Sequence, residues 1–468
     1  MSFPASFTWG AASSAYQIEG AWNQDGCGPS IWDTYCHAIP TEGGPSHTPA
    51  KPNVFQGHTG DVACDHYNRY KEDVGIMKSI GLKAYRFSIA WTRVMPEGAG
   101  SINAKGLDFY DRLVNELLSA GITPYATLFH WDYPEALFRK GGWLNRDSVK
   151  WFADYTQAVS DRLGDRVKNW MTLNEPQVFL QFGHADAHNA PGLRLPTREL
   201  LLACHHALMS HGAGVQVLRA RGKGPQSIGY APVCVTRYPA TDSAADQQAA
   251  IEAMGSITER NLWNNTWYAD AIVRAHYPED GLKIFGADAP KPQPGDMELI
   301  SQKIDFIGVN IYEGTPVRRG ESGKPEVVER HHTHPTTAFR WPVEPKSLHW
   351  GPRYTYERYK LPVYITENGM SGIDWVGMDG KVHDPQRIDF TRRYLLELRN
   401  AIRAGSDIRG YFHWSILDNF EWSQGYKERF GLIHVDYATQ KRTPKDSAYW
   451  YQKVIASNGA HLDVNPHE

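Results

Sequence analysis

The sequence predicts an α/β fold, a single-domain (β/α)8 TIM barrel with elaborated rim loops that takes in residues 1–468. Short runs rich in β-branched and aromatic residues alternate with amphipathic helical stretches from one end of the chain to the other. This alternation is typical of parallel strands joined by right-handed helical connections. No Gly-rich linker or low-complexity tract divides the sequence, and barrels of this kind can run to ~400 residues or more as one unit.

Eight segments are expected to form the barrel strands, because each is a short apolar run ended by turn-forming residues. They are residues 7–14, 84–89, 124–129, 167–173, 227–235, 304–309, 362–366 and 410–414. Amphipathic stretches between them predict helices, including residues 65–80, 106–120, 148–163, 200–219 and 387–403. The long segment 313–348 is expected to be an excursion of the rim rather than a second domain.

Composition and charge favour a globular protein that acts on a small neutral molecule. Hydrophobic residues make up 41% of the chain and charged residues 22%, which is ordinary for a domain with a large core. The formal net charge is −3 and like charges do not cluster in runs, so neither nucleic acid nor a membrane is an expected partner. The N-terminal residues do not resemble a signal peptide, and we expect a cytoplasmic protein. The oligomeric state is left open.

Two glutamates lie where an apolar, strand-like run gives way to turn-forming residues. Glu175 follows the run 168–173 and precedes Pro176, and Glu367 follows the run 361–366. A closed parallel barrel brings the carboxyl ends of all its strands to one rim, so we expect the two carboxylates to meet there. The sequence therefore predicts a two-carboxylate active site.

Other predicted strand ends carry residues that are able to bind a sugar or to transfer a proton. Their convergence on one rim is a more specific signal than either glutamate segment alone. These residues are Gln17 and Glu19 after the first strand, His130 and Trp131 after the third, Asn174 after the fourth, Asn310 and Tyr312 after the sixth, and Trp414 at the eighth.

The histidines and cysteines do not predict a metal site, and no metal or cofactor is expected. His205 and His206 are neighbours on a predicted helix, so their side chains point ~100° apart. His331, His332 and His334 lie in a polar segment that lacks the ligand spacing of a zinc site. The five cysteines form no C-x-x-C pair and are expected to be free thiols.

Six short motifs follow one another along the chain. They are FTWGAASSAYQIEG at 7–20, YRFSI at 85–89, FHWD at 129–132, TLNEP at 172–176, VYITENG at 363–369 and WSILDNFEW at 414–422. The first resembles the opening signature, and the fifth the nucleophile signature, of glycoside hydrolase family 1. In this order the motifs resemble the bacterial β-glucosidase type of that family over essentially the whole chain.

The resemblance implies a role for each glutamate. Glu175 would be the acid/base and Glu367 the nucleophile of a retaining glycosidase, in which two carboxyl groups stand ~5–5.5 Å apart. The ionised nucleophile would raise the pKa of its partner, because two negative charges at that distance repel. Arg86 would keep Glu367 ionised, Tyr312 would donate a hydrogen bond to it, and Asn310 would support the site.

The resemblance also implies contacts with the substrate. Asn174 would bond the 2-hydroxyl, Trp414 would stack beneath the sugar ring, and Glu421 would accept hydrogen bonds from the 4- and 6-hydroxyls. A 6-phosphate would be repelled by Glu421, so unphosphorylated glucosides are expected. The other positions implied for the terminal sugar are Gln17, His130, Trp131, Trp422 and Phe430, and those implied for the leaving group are Gln177, Val178, His184 and Trp341.

The implied activity is that of a retaining, exo-acting β-glucosidase. Its expected substrates are cello-oligosaccharides and aryl or alkyl β-glucosides, with side activity on β-galactosides and β-fucosides. Two alternatives stay open, a catalytically silent sugar-binding barrel and an enzyme of the same fold that mainly transglycosylates.

Overall fold

The computed structural model describes residues 2–38 and 53–464, and its centre is a barrel of eight parallel strands. The strands of this part of the chain are β1 Thr8–Ala12, β2 Ala84–Ser88, β3 Thr123–Phe129, β4 Asn169–Asn174, β5 Ser227–Ala231, β6 Arg237–Pro239, β7 Ile307–Asn310, β8 Thr315–Arg319, β9 Pro325–Val327, β10 Val363–Asn368, β11 Ile408–Trp414, β12 Ile433–Asp436 and β13 Lys441–Pro444.

The helices lie mostly between the barrel strands. They are α1 Ala15–Ile18, α2 Ile31–His37, α3 His66–Ser79, α4 Trp91–Val94, α5 Ala104–Ser119, α6 Glu135–Phe138, α7 Ser148–Leu163, α8 Pro176–Leu180, α9 Thr197–Arg221, α10 Ala244–Gly255, α11 Thr266–Arg274, α12 Glu279–Phe285, α13 Asp296–Ile300, α14 Ser347–Tyr359, α15 Pro385–Arg403 and α16 Asp446–Ala456. Short 3-10 turns lie at Phe55–Gly57, Gly142–Leu144, Gly286–Asp288, Trp422–Gln424 and Ala460–Asp463, and a π-helical turn at Gln181–Ala185. Within residues 2–38 and 53–464, no helix combines the length and apolarity that crossing a bilayer requires.

The first and the last strands of the barrel, β1 and β11, pair with each other. The order around it is β5-β4-β3-β2-β1-β11-β10-β7, and Thr8 is in register with Gly410. The two ends of this order meet just beyond β5, where Val233 pairs with Asn310 and the Asn310 N–H donates to Pro232 O over 2.9 Å. The barrel is therefore nearly closed, and the predicted (β/α)8 fold is confirmed.

Buried side chains from the barrel strands pack against one another below the rim. The rings of Tyr125 and Phe412 lie 4.9 Å apart between centroids, with Phe306 in the same cluster. Ala84 and Ala231 contribute small side chains to this cluster, which leaves room for the rings. A much larger apolar core lies between the strands and the surrounding helices. The strand ends therefore stand on close-packed material that holds them in fixed positions.

Most predicted elements are present with small shifts at their ends, and the predicted helix 148–163 coincides with α7. Three strands are shorter than predicted by two residues or more, and the first of them spans Thr8–Ala12 instead of residues 7–14. The fifth ends at Ala231, because Pro232 has no N–H to continue the ladder, and the sixth begins at Ile307 rather than at residue 304. The segment 313–348 contains β8 and β9, which join β6 in a small sheet separate from the barrel.

Phe412 offers a test of this packing. We expect Phe412→Ala to lower the free energy of unfolding by ~3–5 kcal/mol, because Phe412 is fully buried and its truncation leaves a cavity. Leu118→Ala on α5 is the control, since Leu118 is 41% exposed and its loss should cost less than ~0.5 kcal/mol. Urea unfolding followed by tryptophan fluorescence measures both, and equal losses would contradict a packed interior.

Candidate active site

A cavity of about 410 Å³ opens at the carboxyl ends of the barrel strands, and both predicted glutamates line it. This volume lies within the range of small-molecule sites. Eight residues predicted to support catalysis or to bind the terminal sugar line the same cavity, namely His130, Trp131, Asn310, Tyr312, Trp414, Glu421, Trp422 and Phe430. Three more, Gln17, Arg86 and Asn174, are fully buried and bond to lining residues from behind.

Glu175 lies at the turn between β4 and α8. Its backbone is left-handed, with φ at 46°, and Pro176 begins α8. Such a conformation is uncommon for a residue with a side chain and often occurs at functional sites. Proline is favourable at the first helical position because it has no N–H to leave unsatisfied. The Glu175 N–H donates to Ala231 O over 2.8 Å, which ties this turn to β5.

Glu367 lies near the end of β10, where the register with β7 shifts between Ile365 and Glu367. Its Oε1 accepts a hydrogen bond from Arg86 Nη1 over 2.6 Å, and its Oε2 accepts one from the Tyr312 hydroxyl over 2.7 Å. Hydrogen bonds from a charged donor are stronger than neutral ones. These two donors therefore favour the ionised form of Glu367 and oppose the effect of its burial.

Arg86 on β2 joins this carboxylate to the neighbouring strands. Its Nη2 donates to Asn174 Oδ1 over 2.6 Å, its Nη1 to Thr366 O over 3.1 Å, and its Nε to Thr127 Oγ1 over 3.2 Å. Because a guanidinium only donates, the oxygen of the Asn174 amide must face it. The amide nitrogen then faces His130 Nε2 over 3.1 Å, and this contact fixes the orientation of both side chains.

Asn310, at the end of β7, links the surroundings of the two glutamates. Its Nδ2 donates to Glu175 Oε1 over 2.9 Å and to Asn174 Oδ1 over 3.1 Å. Its Oδ1 accepts from the Thr366 hydroxyl over 2.6 Å. One side chain therefore bonds residues at the ends of both glutamate-bearing strands.

The two carboxyl groups differ in how readily they ionise. Burial, followed by the negative charge of Glu367, raises the pKa of Glu175 well above its ordinary value. Burial also raises the pKa of Glu367, but there the Arg86 charge and the Tyr312 hydrogen bond oppose it. Glu367 therefore loses its proton first, which leaves Glu175 protonated beside an ionised partner.

Aromatic rings and one further carboxyl group line the cavity beside this pair. The rings of His130 and Trp414 are 17° from parallel, with centroids 5.8 Å apart, and Trp422 packs on Trp131 at 4.6 Å. Gln17 Nε2 donates to Glu421 Oε2 over 3.2 Å. Burial and the nearby charge of Glu367 raise the pKa of Glu421 to about 8. A flat stacking surface beside groups that donate and accept hydrogen bonds suits a sugar ring.

The residues predicted to contact the leaving group divide into two sets. Val178 and Trp341 line the cavity, whereas Gln177 and His184 are not among its lining residues. The Gln177 amide is turned inward, where it accepts from Val233 N and donates to Val233 O and Asn264 O. His184 Nδ1 lies 2.8 Å from Phe179 O, inside its own helical turn. These two side chains support loops behind the cavity.

Among the lining residues that were not identified from the sequence, five carry a Phe, Trp, Arg or Glu side chain. The signals that could have identified them are weak: Glu313 adjoins the predicted Tyr312, and Arg237 lies just beyond the predicted fifth strand. The aromatic members come from loops whose proximity depends on tertiary packing. The five are Phe182, Arg237, Trp263, Glu313 and Phe339.

The histidines noted in the sequence contact other protein groups. His205 Nε2 lies 3.0 Å from Asp296 Oδ2, and His206 Nδ1 lies 2.9 Å from Trp143 O. In the described part of the chain, no group of three or more His, Cys, Asp or Glu side chains is arranged to hold a metal ion.

Comparison with known proteins gives consistent matches over the full chain. The model of Glycosyl hydrolase family 1 matches residues 1–460. Beta-glucosidase A of Thermotoga maritima is 44% identical over 98% of each chain. The 1,4-beta-D-glucan glucohydrolase of Thermotoga neapolitana is 43% identical over 98% of this chain and 99% of its own. The structure of the Thermotoga maritima beta-glucosidase in complex with glucoimidazole has a TM-score of 0.87 at 44% identity and covers 98% of this chain and 99% of its own.

The coupling between the two carboxyl groups can be measured directly. Glu367→Gln removes a negative charge beside Glu175, so the pKa of Glu175 should fall toward its ordinary value, while burial keeps it partly raised. Glu326→Gln is the control, because this side chain is 43% exposed and lies outside the cavity lining. Carbon-13 NMR titration of labelled glutamate carboxyls follows the shift. An unchanged or higher pKa of Glu175 in Glu367→Gln would contradict the coupling.

Proposed function

Since the chain belongs to Glycosyl hydrolase family 1, we propose that it is a retaining, exo-acting β-glucosidase that acts by double displacement. Its substrates are terminal, non-reducing β-D-glucosyl residues of cello-oligosaccharides and of aryl or alkyl β-glucosides. The observation that carries this proposal is the unequal setting of Glu175 and Glu367 in one cavity. Glu175 keeps its proton more strongly than Glu367 does, and a retaining glycosidase requires this inequality between its acid and its nucleophile.

In the first half-reaction, the ionised Glu367 attacks the anomeric carbon of the glucosyl residue. The bond from that carbon to the glycosidic oxygen breaks, and the oxygen takes the proton of Glu175 as it leaves. Glu367 thereby becomes a neutral ester with α configuration. Arg86 and Tyr312 orient the attacking carboxylate, since each bonds one of its oxygens.

The second half-reaction reverses these roles. Esterification removes the negative charge of Glu367, which had helped to keep the pKa of Glu175 high, so Glu175 can remain ionised until water arrives. Glu175 takes a proton from that water as the water oxygen attacks the anomeric carbon. Glu367 leaves as a carboxylate, and glucose is released with β configuration.

The buried polar groups beside this pair support recognition of an unphosphorylated glucosyl ring. Asn174 is held by Arg86 and His130 in a single orientation, in which it would meet the 2-hydroxyl. Glu421 would bond the 4- and 6-hydroxyls, and once ionised, above its pKa of about 8, it would repel a phosphate there. We extend the proposal to slower cleavage of β-galactosides and β-fucosides, because an axial or missing hydroxyl changes only one or two of these contacts.

The stereochemistry of the product tests the mechanism. Cellobiose hydrolysis followed by proton NMR should release the β-anomer of glucose first, before mutarotation mixes the two anomers. Early release of the α-anomer would overturn double displacement. Absence of turnover on both cellobiose and an aryl β-glucoside would favour the silent sugar-binding barrel, and dominance of coupled products at low acceptor concentration would favour a transglycosylating enzyme.

Removal of the nucleophile tests the assignment of Glu367. Glu367→Gly should lower kcat for an aryl β-glucoside by roughly 10⁴-fold or more, because the covalent ester cannot form. Added azide can occupy the space of the lost carboxylate and should restore turnover with α-glucosyl azide as the product. Glu326→Gly, which changes an exposed carboxylate, should leave kcat within about twofold of wild type. Full activity without azide would remove the assignment.

A further inference from the structure

Two charged side chains in the cavity wall, Arg237 and Glu313, form no ion pair with any other residue that the structure describes. Both line the cavity, and Glu313 directly follows Tyr312, whose hydroxyl bonds the nucleophile. Arg237 uses Nη1 to donate to Thr315 Oγ1 over 2.9 Å and, more weakly, to Thr236 O over 3.5 Å. Across residues 2–38 and 53–464, its Nε and Nη2 have no acceptor, and the Glu313 carboxylate has no donor within hydrogen-bond distance.

The backbone places both side chains on neighbouring parts of the cavity wall. Arg237 begins β6 and is in register with Thr315 of β8, while Glu313 lies two residues before Thr315. Glu313 is an exposed residue of the cavity wall; partial desolvation by its neighbours raises the pKa of its carboxyl, and the charges of Arg330 and Arg237 oppose that shift. The wall therefore brings one positive and one negative group together without joining them in an ion pair.

Aromatic pairs line the same cavity. The rings of Phe182 and Trp263 stack 18° from parallel with centroids 5.4 Å apart, and those of Phe339 and Trp341 lie 4.3 Å apart at 32°. Trp263 is 36% exposed, so its ring remains available to a bound molecule. Such rings alone would accept either a phenyl group or the C–H face of a sugar.

The two charges distinguish between these candidates. A guanidinium only donates hydrogen bonds and a carboxylate only accepts them, whereas a sugar hydroxyl does both. An aryl leaving group would contact the rings but would bond neither Arg237 nor Glu313. A cationic leaving group would be repelled by Arg237, and an anionic one by Glu313. A neutral sugar can bond both.

We propose that Arg237 and Glu313 bind the hydroxyls of a sugar leaving group and so select oligosaccharides among β-glucosides. This inference rests on the proposed β-glucosidase function and names the part of the substrate that the cavity wall recognises. The pair determines specificity, while bond cleavage stays with Glu175 and Glu367.

The test compares cellobiose with p-nitrophenyl β-glucoside in Arg237→Met and Glu313→Gln. For each variant, kcat/KM for cellobiose should fall about tenfold, because a hydrogen bond to a charged group is lost, while that for the aryl glucoside should change less than about twofold. Arg318→Met and Glu326→Gln are matched controls, since they remove an exposed pair 3.6 Å apart on β8 and β9, outside the cavity lining. In both control variants, kcat/KM for each substrate should stay within about twofold of the wild-type value.

The aryl glucoside reports whether each variant is folded and catalytically intact. Equal losses on both substrates, unchanged cellobiose hydrolysis, or faster cellobiose hydrolysis in the variants would overturn the assignment of Arg237 and Glu313 and leave the β-glucosidase function standing. A wild-type protein that cleaves only the aryl substrate would also overturn the assignment. A wild-type protein that cleaves neither would overturn the β-glucosidase function itself.

Discussion

The buried guanidinium of Arg86 is the interaction on which the rest of the site depends. An ionised carboxylate in a dry interior would take up a proton unless a counter-charge stood beside it. Arg86 provides that charge to Glu367 and also bonds Asn174 and the Thr366 carbonyl. A lysine could supply the charge, but it lacks the planar set of donors that reaches Glu367, Asn174 and the Thr366 carbonyl at once. Charge and geometry therefore come from one side chain.

The difference between the two glutamates arises from their neighbours, since the residue type is the same. Glu367 lies in a strand and receives one charged and one neutral donor, whereas Glu175 lies in a left-handed turn and receives an amide from Asn310. Each carboxyl group also acts on the other through its charge. A change in either one therefore alters the chemistry of both.

The sequence was sufficient to predict those parts of the fold and of the site that depend on local residue patterns. Strand-like runs ending at Pro176 and Gly369 located both glutamates at strand ends, and the barrel then brought them together. Patterns do not specify which way a side chain points after a turn. Gln177 follows Glu175 closely, yet loops from elsewhere supply Val233 and Asn264 as its partners and turn it inward. Arg237 was missed for a related reason, because its place in the wall depends on pairing with Thr315 far along the chain.

The pairing of β1 with β11 sets a condition on how the protein is made. Thr8 lies beside Gly410, so the first barrel strand gains its second neighbour only after roughly 400 further residues have left the ribosome. At ~5–20 residues per second, this takes about 20 to 80 seconds. During that interval the backbone N–H and C=O groups on one edge of β1 are unpaired, and such an edge readily pairs with other chains. The nascent chain should therefore depend most on chaperones just before synthesis ends. A stop codon that removes β11 should cause aggregation, because it leaves the edge of β1 unpaired as well as removing the terminal segment.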